Sequence, residues 1–158
     1  MFRNVIAATL ALAACAFSLA AQGKTNYSGT WKLNADKSDF GPLPPTANRT
    51  DVIDHSEPNL KVHTTADDPT QGQQDYTLSM TTDGKEVTNH VADIEVKNTA
   101  NWEGANLVVG TKLSVQGADL AVKATWLLSD DGKTLTQSAH INAGPLGELD
   151  QKLVFEKQ

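Results

Sequence analysis

The sequence predicts an all-β fold, a single up-and-down antiparallel β-barrel of about 8–10 strands. Three observations carry this. From about residue 74 onward, alternating apolar and polar segments are separated by tight turns at Asp83-Gly84, Glu103-Gly104, Gln116-Gly117 and Asp131-Gly132, with a longer turn from Gly144 to Gly147. Glycine accepts the positive φ of a tight hairpin turn, so Asp-Gly between alternating runs is a strong hairpin signal. No segment of useful length shows helical periodicity. A meander this long either closes on itself or leaves edges that invite aggregation, and closure is the solution that abolishes edges.

The chain begins with an export signal. Arg3 supplies the positive end, and Val5 to Ala21 is an unbroken run of apolar and small residues. That run is at the lower limit for a membrane span, and Ser18-Leu19-Ala20 offers small residues where signal peptidase reads them. Residues 1–20 are therefore read as a signal peptide, 21–26 as a polar lead-in and 27–158 as the barrel domain. The mature chain then has no transmembrane segment and is periplasmic or secreted. Leu12-Ala13-Ala14-Cys15 also matches a bacterial lipobox, which gives an alternative: a lipoprotein signal over 1–14 and anchoring to the envelope through Cys15. The apolar residues after Cys15 argue for soluble export, because a lipoprotein tether is usually polar. Cys15 is the only cysteine among 158 residues, so the exported domain has no disulfide and depends on its core. A formal net charge of −6 without a basic cluster argues against nucleic acid and anionic membrane surfaces as partners.

The strands follow in order. Tyr27 to Leu33 opens the barrel, with Tyr27, Trp31 and Leu33 on one face. Asn34 to Asn48 contains Gly41, Pro42, Pro44 and Pro45, so it reads as a loop crossing one end of the barrel. Thr50–His55 and Asn59–Thr65 form a hairpin turning at Glu57-Pro58. After the polar loop 66–73, Gln74–Thr82 alternates with Tyr76, Leu78 and Met80 on one face, and Lys85–Val91 is weak and polar. Strands marked by Ile94 to Trp102, Leu107 to Val115, Leu120 to Leu128, Leu135 to Ile141 and Leu149 to Phe155 complete about ten. A barrel of that size lined by Val, Leu, Ala and a few aromatics leaves room for one small ligand.

Tyr27-Ser28-Gly29-Thr30-Trp31-Lys32-Leu33 resembles the opening strand of the calycins, the lipocalins and fatty-acid-binding proteins, whose barrels begin with a Gly-x-Trp strand. Asn101-Trp102-Glu103-Gly104 and Trp126 to Gly132 are similar to late hairpins of that superfamily, and exported bacterial lipocalin-like proteins are the nearest likeness. The resemblance implies an interior ligand site and makes Gly29 and Trp31 a structural signature, with Trp31 closing the barrel floor beneath a basic side chain from a late strand. The short Pro-rich interval after the first strand leaves no room for the helical lid of the fatty-acid-binding branch. The Arg-x-Tyr carboxylate clamp of that branch is absent from Gln151 to Phe155, as are the lipocalin disulfide and C-terminal helix.

Tyr76, Met80, Trp102, Leu113, Val122 and Trp126 are the candidate ligand-binding residues, with core packing the competing role for both tryptophans. His55, His63, His90 and His140 lack metal-ligand spacing and are expected at the surface, with His55 and His63 on consecutive strands where they could pair across the hairpin; no metal or cofactor is implied. Asp67-Asp68 and Asp130-Asp131 are turn formers. No catalytic motif is visible; Gln137 and Asn98, polar among apolar neighbours, are the only candidates for interior chemistry. The functional expectation is a non-enzymatic exported binder of a small apolar or amphipathic molecule. The alternative is an envelope structural or interaction protein with a filled barrel, acting through a loop end such as Asp36 to Asn48. The sequence specifies no protein partner.

Overall fold

The computed structural model describes residues 23–158. The export signal and Cys15 lie outside them. The described chain is all-β: β1 (Gly29–Leu33), β2 (Ala47–Ser56), β3 (Asn59–Asp68), β4 (Gly72–Thr81), β5 (Val87–Val91), β6 (Ile94–Glu103), β7 (Asn106–Val115), β8 (Ala118–Leu128), β9 (Thr134–Asn142) and β10 (Glu148–Lys157). All pair antiparallel in the order β4-β3-β2-β1-β10-β9-β8-β7-β6-β5. β1 and β10 pair through Trp31 opposite Lys157 and Leu33 opposite Phe155, which joins the first strand to the last and curls the sheet. The result is a near-closed up-and-down barrel.

One seam remains, between β4 and β5. It is bridged by a side chain. The Asn89 amide accepts from the Ser79 N–H at 2.9 Å and donates to the Ser79 carbonyl at 2.9 Å, reproducing the two bonds of a strand pair. Its second N–H donates to Asn98 Oδ1 at 3.0 Å, and Asn98 donates to Thr111 Oγ1 at 2.9 Å. Asn98 is fully buried and satisfied by this chain, which explains a polar residue among apolar neighbours.

Registers define the inner face. Trp31, Asp51, Thr64 and Tyr76 face one another across β1 to β4. Leu153, Gln137, Trp126, Leu107 and Trp102 do the same across β10 to β6. Two sequence expectations need correction. The segment after β1 does not simply cross an end: Asn34 and Asp39 bond the backbone of Val154 and Lys152, extending the short β1 alongside β10, and Phe40 enters the core. β2 also starts earlier than Thr50, with a register irregularity between Ala47 and Thr50 where Asn48 takes a φ of 49°.

Candidate functional site: a barrel closed at one end and open at the other

The two ends of the barrel are built differently. At the end formed by the β2–β3, β6–β7 and β8–β9 turns, the chain turns inward at Tyr27, two residues ahead of β1. Tyr27 is fully buried there; its ring lies 5.6 Å from Trp126 edge-on and stacks with His55 and Trp102 at 5.9 and 6.1 Å. Its hydroxyl donates to the Trp126 carbonyl at 3.0 Å. Trp31 donates its indole N–H to the Tyr27 carbonyl at 2.9 Å, and the Lys157 ammonium stands 5.3 Å over its ring. That is the basic side chain from a late strand that the Gly-x-Trp resemblance implies. Gly29 has a φ of +144°, and a Cβ there would sit 2.7 Å from Lys157 Cε, so the signature glycine makes room for the capping lysine.

Glu57 ties this floor together. Its carboxylate accepts from Thr82 Oγ1 at 2.7 Å, His55 Nε2 at 2.9 Å, Trp102 Nε1 at 3.0 Å and Lys24 Nζ at 3.3 Å. Desolvation pushes this carboxyl up, but the bonds from Thr82, His55, Lys24 and Trp102 outweigh it and hold the pKa at about 2. His55 is not at the surface: only 4% of it is exposed. Its Nδ1 accepts the Tyr27 backbone N–H at 3.2 Å, which assigns the proton to Nε2 for the bond to Glu57. Nor does His55 pair with His63. It lies opposite Leu60, while His63 lies opposite Val52 on the outer face.

The opposite end holds a cavity of about 560 Å³ between β2–β4 and β5–β8. Its apolar wall is Leu78, Val91, Ile94, Val96, Leu113 and Leu120. Its polar groups are concentrated on the β2–β4 side, where Arg49, Thr64 and Tyr76 line it, with Asp68, Gln71 and Gln74 toward the β3–β4 turn. Arg49 forms a fork with Asp51, Nε to Oδ1 and Nη2 to Oδ2, both at 3.0 Å. Asp51 is 1% exposed and also accepts from Thr64 Oγ1 at 3.0 Å; the guanidinium rests 5.3 Å over the Phe155 ring. Asp68 is held below the usual carboxylate range by bonds from Thr70 and Gln71, as a turn former.

The six candidate ligand residues divide between the two ends. Tyr76 and Leu113 line the cavity. Met80 and Trp126 are buried in the core cluster, with Trp102 packed against it at the floor. Val122 stands opposite Thr111 and Ile141 on the inner ladder. Gln137 is buried in the floor half, and its Nε2 finds no hydrogen-bond partner among the described residues. Sequence reasoning did not single out Arg49, although it is one of only two arginines and stands two residues from a buried aspartate. Among the described residues, no group of three or more His, Cys, Asp or Glu could hold a metal ion, and no helix is long and apolar enough to cross a membrane.

No family model matches the chain, and no curated protein matches it. Solved structures do. A secretory abundant heat soluble protein from Ramazzottius varieornatus superposes with a TM-score of 0.62 at 15% identity, over 86% of this chain and 97% of its own. The wild-type fluorescent protein UnaG gives 0.56 at 15% identity, over 84% and 97%. The chain has the calycin barrel fold. A fatty-acid-binding protein from Schistosoma mansoni, in complex with arachidonic acid, gives 0.52 at 10% identity, over 84% and 96%. Within this barrel, β1 and β2 are separated by one 3-10 turn, Ala35–Lys37, and among the described residues no helical pair covers the open end.

Proposed function

We propose that this protein is an exported, non-enzymatic binding module that holds one small apolar or amphipathic molecule in the open half of its barrel. The observation that carries this reading is the cavity of about 560 Å³, aliphatic on one wall and polar on the other. Its size falls in the roughly 300–1,000 Å³ range of ligand clefts, and burying a ligand's apolar surface is worth roughly 25 cal/mol per Å² before ordering costs. The ligand contacts Tyr76 and Leu113 directly. Val122 supports the wall, and Met80, Trp102 and Trp126 act through the floor that sets the depth of the site. The arachidonic acid complex of the Schistosoma mansoni protein supports the same use of this architecture. Export follows from the signal over residues 1–20, with soluble release as the main reading and anchoring through Cys15 as the alternative.

Native mass spectrometry of the protein gently purified from its own envelope fraction tests this. An adduct of a few hundred daltons, released by organic solvent, is the expected result. A bare polypeptide that takes up no added amphiphile would overturn the reading and favour a scaffold acting through its loops. The mature N-terminus read in the same spectrum decides between cleavage after Ala20 and lipidation at Cys15.

A further inference from the structure

The polar side of the cavity has an uncommon charge balance. Among the described residues Arg49 is its one cation, and no lysine or histidine lines the wall. Two of its nitrogens are committed to Asp51, whose burial makes that fork costly to give up, because an unpaired carboxylate would be left inside the protein. Asp68 adds a negative charge on the lining nearer the mouth; with Asp51 buried behind Arg49 and already neutralising it, the three groups together carry −1. Arg49 nevertheless keeps donor capacity at Nη1, and Tyr76 keeps its hydroxyl. Neither has a hydrogen-bond partner among the described residues, and both line the cavity.

We infer that the ligand's polar group is an uncharged hydrogen-bond acceptor, such as an ester, amide or ketone carbonyl, held by Arg49 Nη1 and the Tyr76 hydroxyl, and that the site discriminates against free carboxylates. This rests on the binding reading above. The charge of the guanidinium is already answered by Asp51, so it serves as a positioned donor. A carboxylate entering the cavity would lose its hydration and face Asp51 and Asp68 with no unneutralised cation to meet it. A carbonyl of the same chain length loses far less on entry and gains the same donors. The aliphatic wall takes the rest of the molecule.

The test is competition against the neutral fluorescent probe N-phenyl-1-naphthylamine, using methyl decanoate, decanoate and n-decane. At pH 8 the ester is expected to displace the probe at a concentration at least about tenfold lower than decanoate. Lowering the pH toward 4.5 protonates the acid and should close most of that gap. Asp51→Asn leaves the guanidinium charge unanswered and should also narrow the gap, by improving decanoate relative to the ester. The double variant Arg49→Met/Asp51→Leu replaces the pair with apolar groups of similar volume, so its folding does not depend on the fork. It should lose most of the ester's advantage over n-decane. Decanoate binding as tightly as the ester at pH 8, or an ester indifferent to the double variant, would overturn the inference while leaving the binder intact. A probe that shows no saturable binding to the wild-type protein would instead remove the binding reading and this inference with it.

Discussion

Replacing Glu57 by glutamine should cost stability at neutral pH and almost none at pH 2. The floor carboxylate has an ordinary pKa of 4.5 and a folded value of about 2. A folded pKa below the unfolded one contributes stability that is full above about pH 5 and is lost as pH falls from 4.5 through 2. A shift of that size corresponds to about 3 kcal/mol at most, at 1.36 kcal/mol per pKa unit. The side chain is 35% exposed, so solvent screening reduces this to on the order of 1–2 kcal/mol. Urea denaturation of wild type and Glu57→Gln at pH 7, 5, 4, 3 and 2 measures it. The difference between the two proteins should be about 1–2 kcal/mol at pH 7 and shrink steadily below pH 5. Taking the difference removes the other carboxylates from the comparison. A gap that stays constant from pH 7 to pH 2 would show that the charge of Glu57 does not hold the floor, and that the loss at neutral pH came from shape alone.

The remaining predictions concern single residues. Asn89→Ala removes both bonds to Ser79 and should destabilise the barrel by about 1–3 kcal/mol; amide exchange should quicken in β4 and β5 well before β8 and β9. Gln137→Met deletes a buried donor that has no partner among the described residues and should raise stability by up to about 1 kcal/mol in the same urea assay. Gly29→Ala places a Cβ on a backbone with a φ of +144° and should cost about 1–3 kcal/mol. Relaxing the Lys157 side chain alone cannot recover that cost.

The strand order was legible in the sequence because each hairpin carries its own turn chemistry and each strand its own alternation. The weakness of Lys85–Val91 was legible too; it is the polar segment from which Asn89 reaches across the seam. The asymmetry of the barrel was not. Period two assigns Trp102, Trp126, Met80 and Leu113 to the inner face without saying at which height each stands. Alternation puts Tyr27 on one face with Trp31 at the head of the first strand, but β1 begins only at Gly29, and the packing of Tyr27 against His55, Trp102 and Trp126 has no local signature. His55 shares the inner face with Ile53 and Asp51, but polar type alone pointed to solvent; only the bonds to Tyr27 and Glu57 make its burial affordable. Arg49 was hidden by the irregularity at Asn48, which adds residues ahead of Thr50 to β2 and carries the guanidinium to the cavity wall.

The central claim is that the open half of the barrel is a ligand site, and filling it tests that most directly. Leu113 lines the cavity and lies on the inner face opposite Val96 and Leu120, away from the buried floor cluster. N-phenyl-1-naphthylamine should bind the wild-type protein saturably at one site. Leu113→Trp should weaken that binding at least tenfold, about 1.4 kcal/mol, while the urea midpoint moves little. Unchanged probe affinity in a folded Leu113→Trp protein, or no saturable binding to the wild type, would contradict the account.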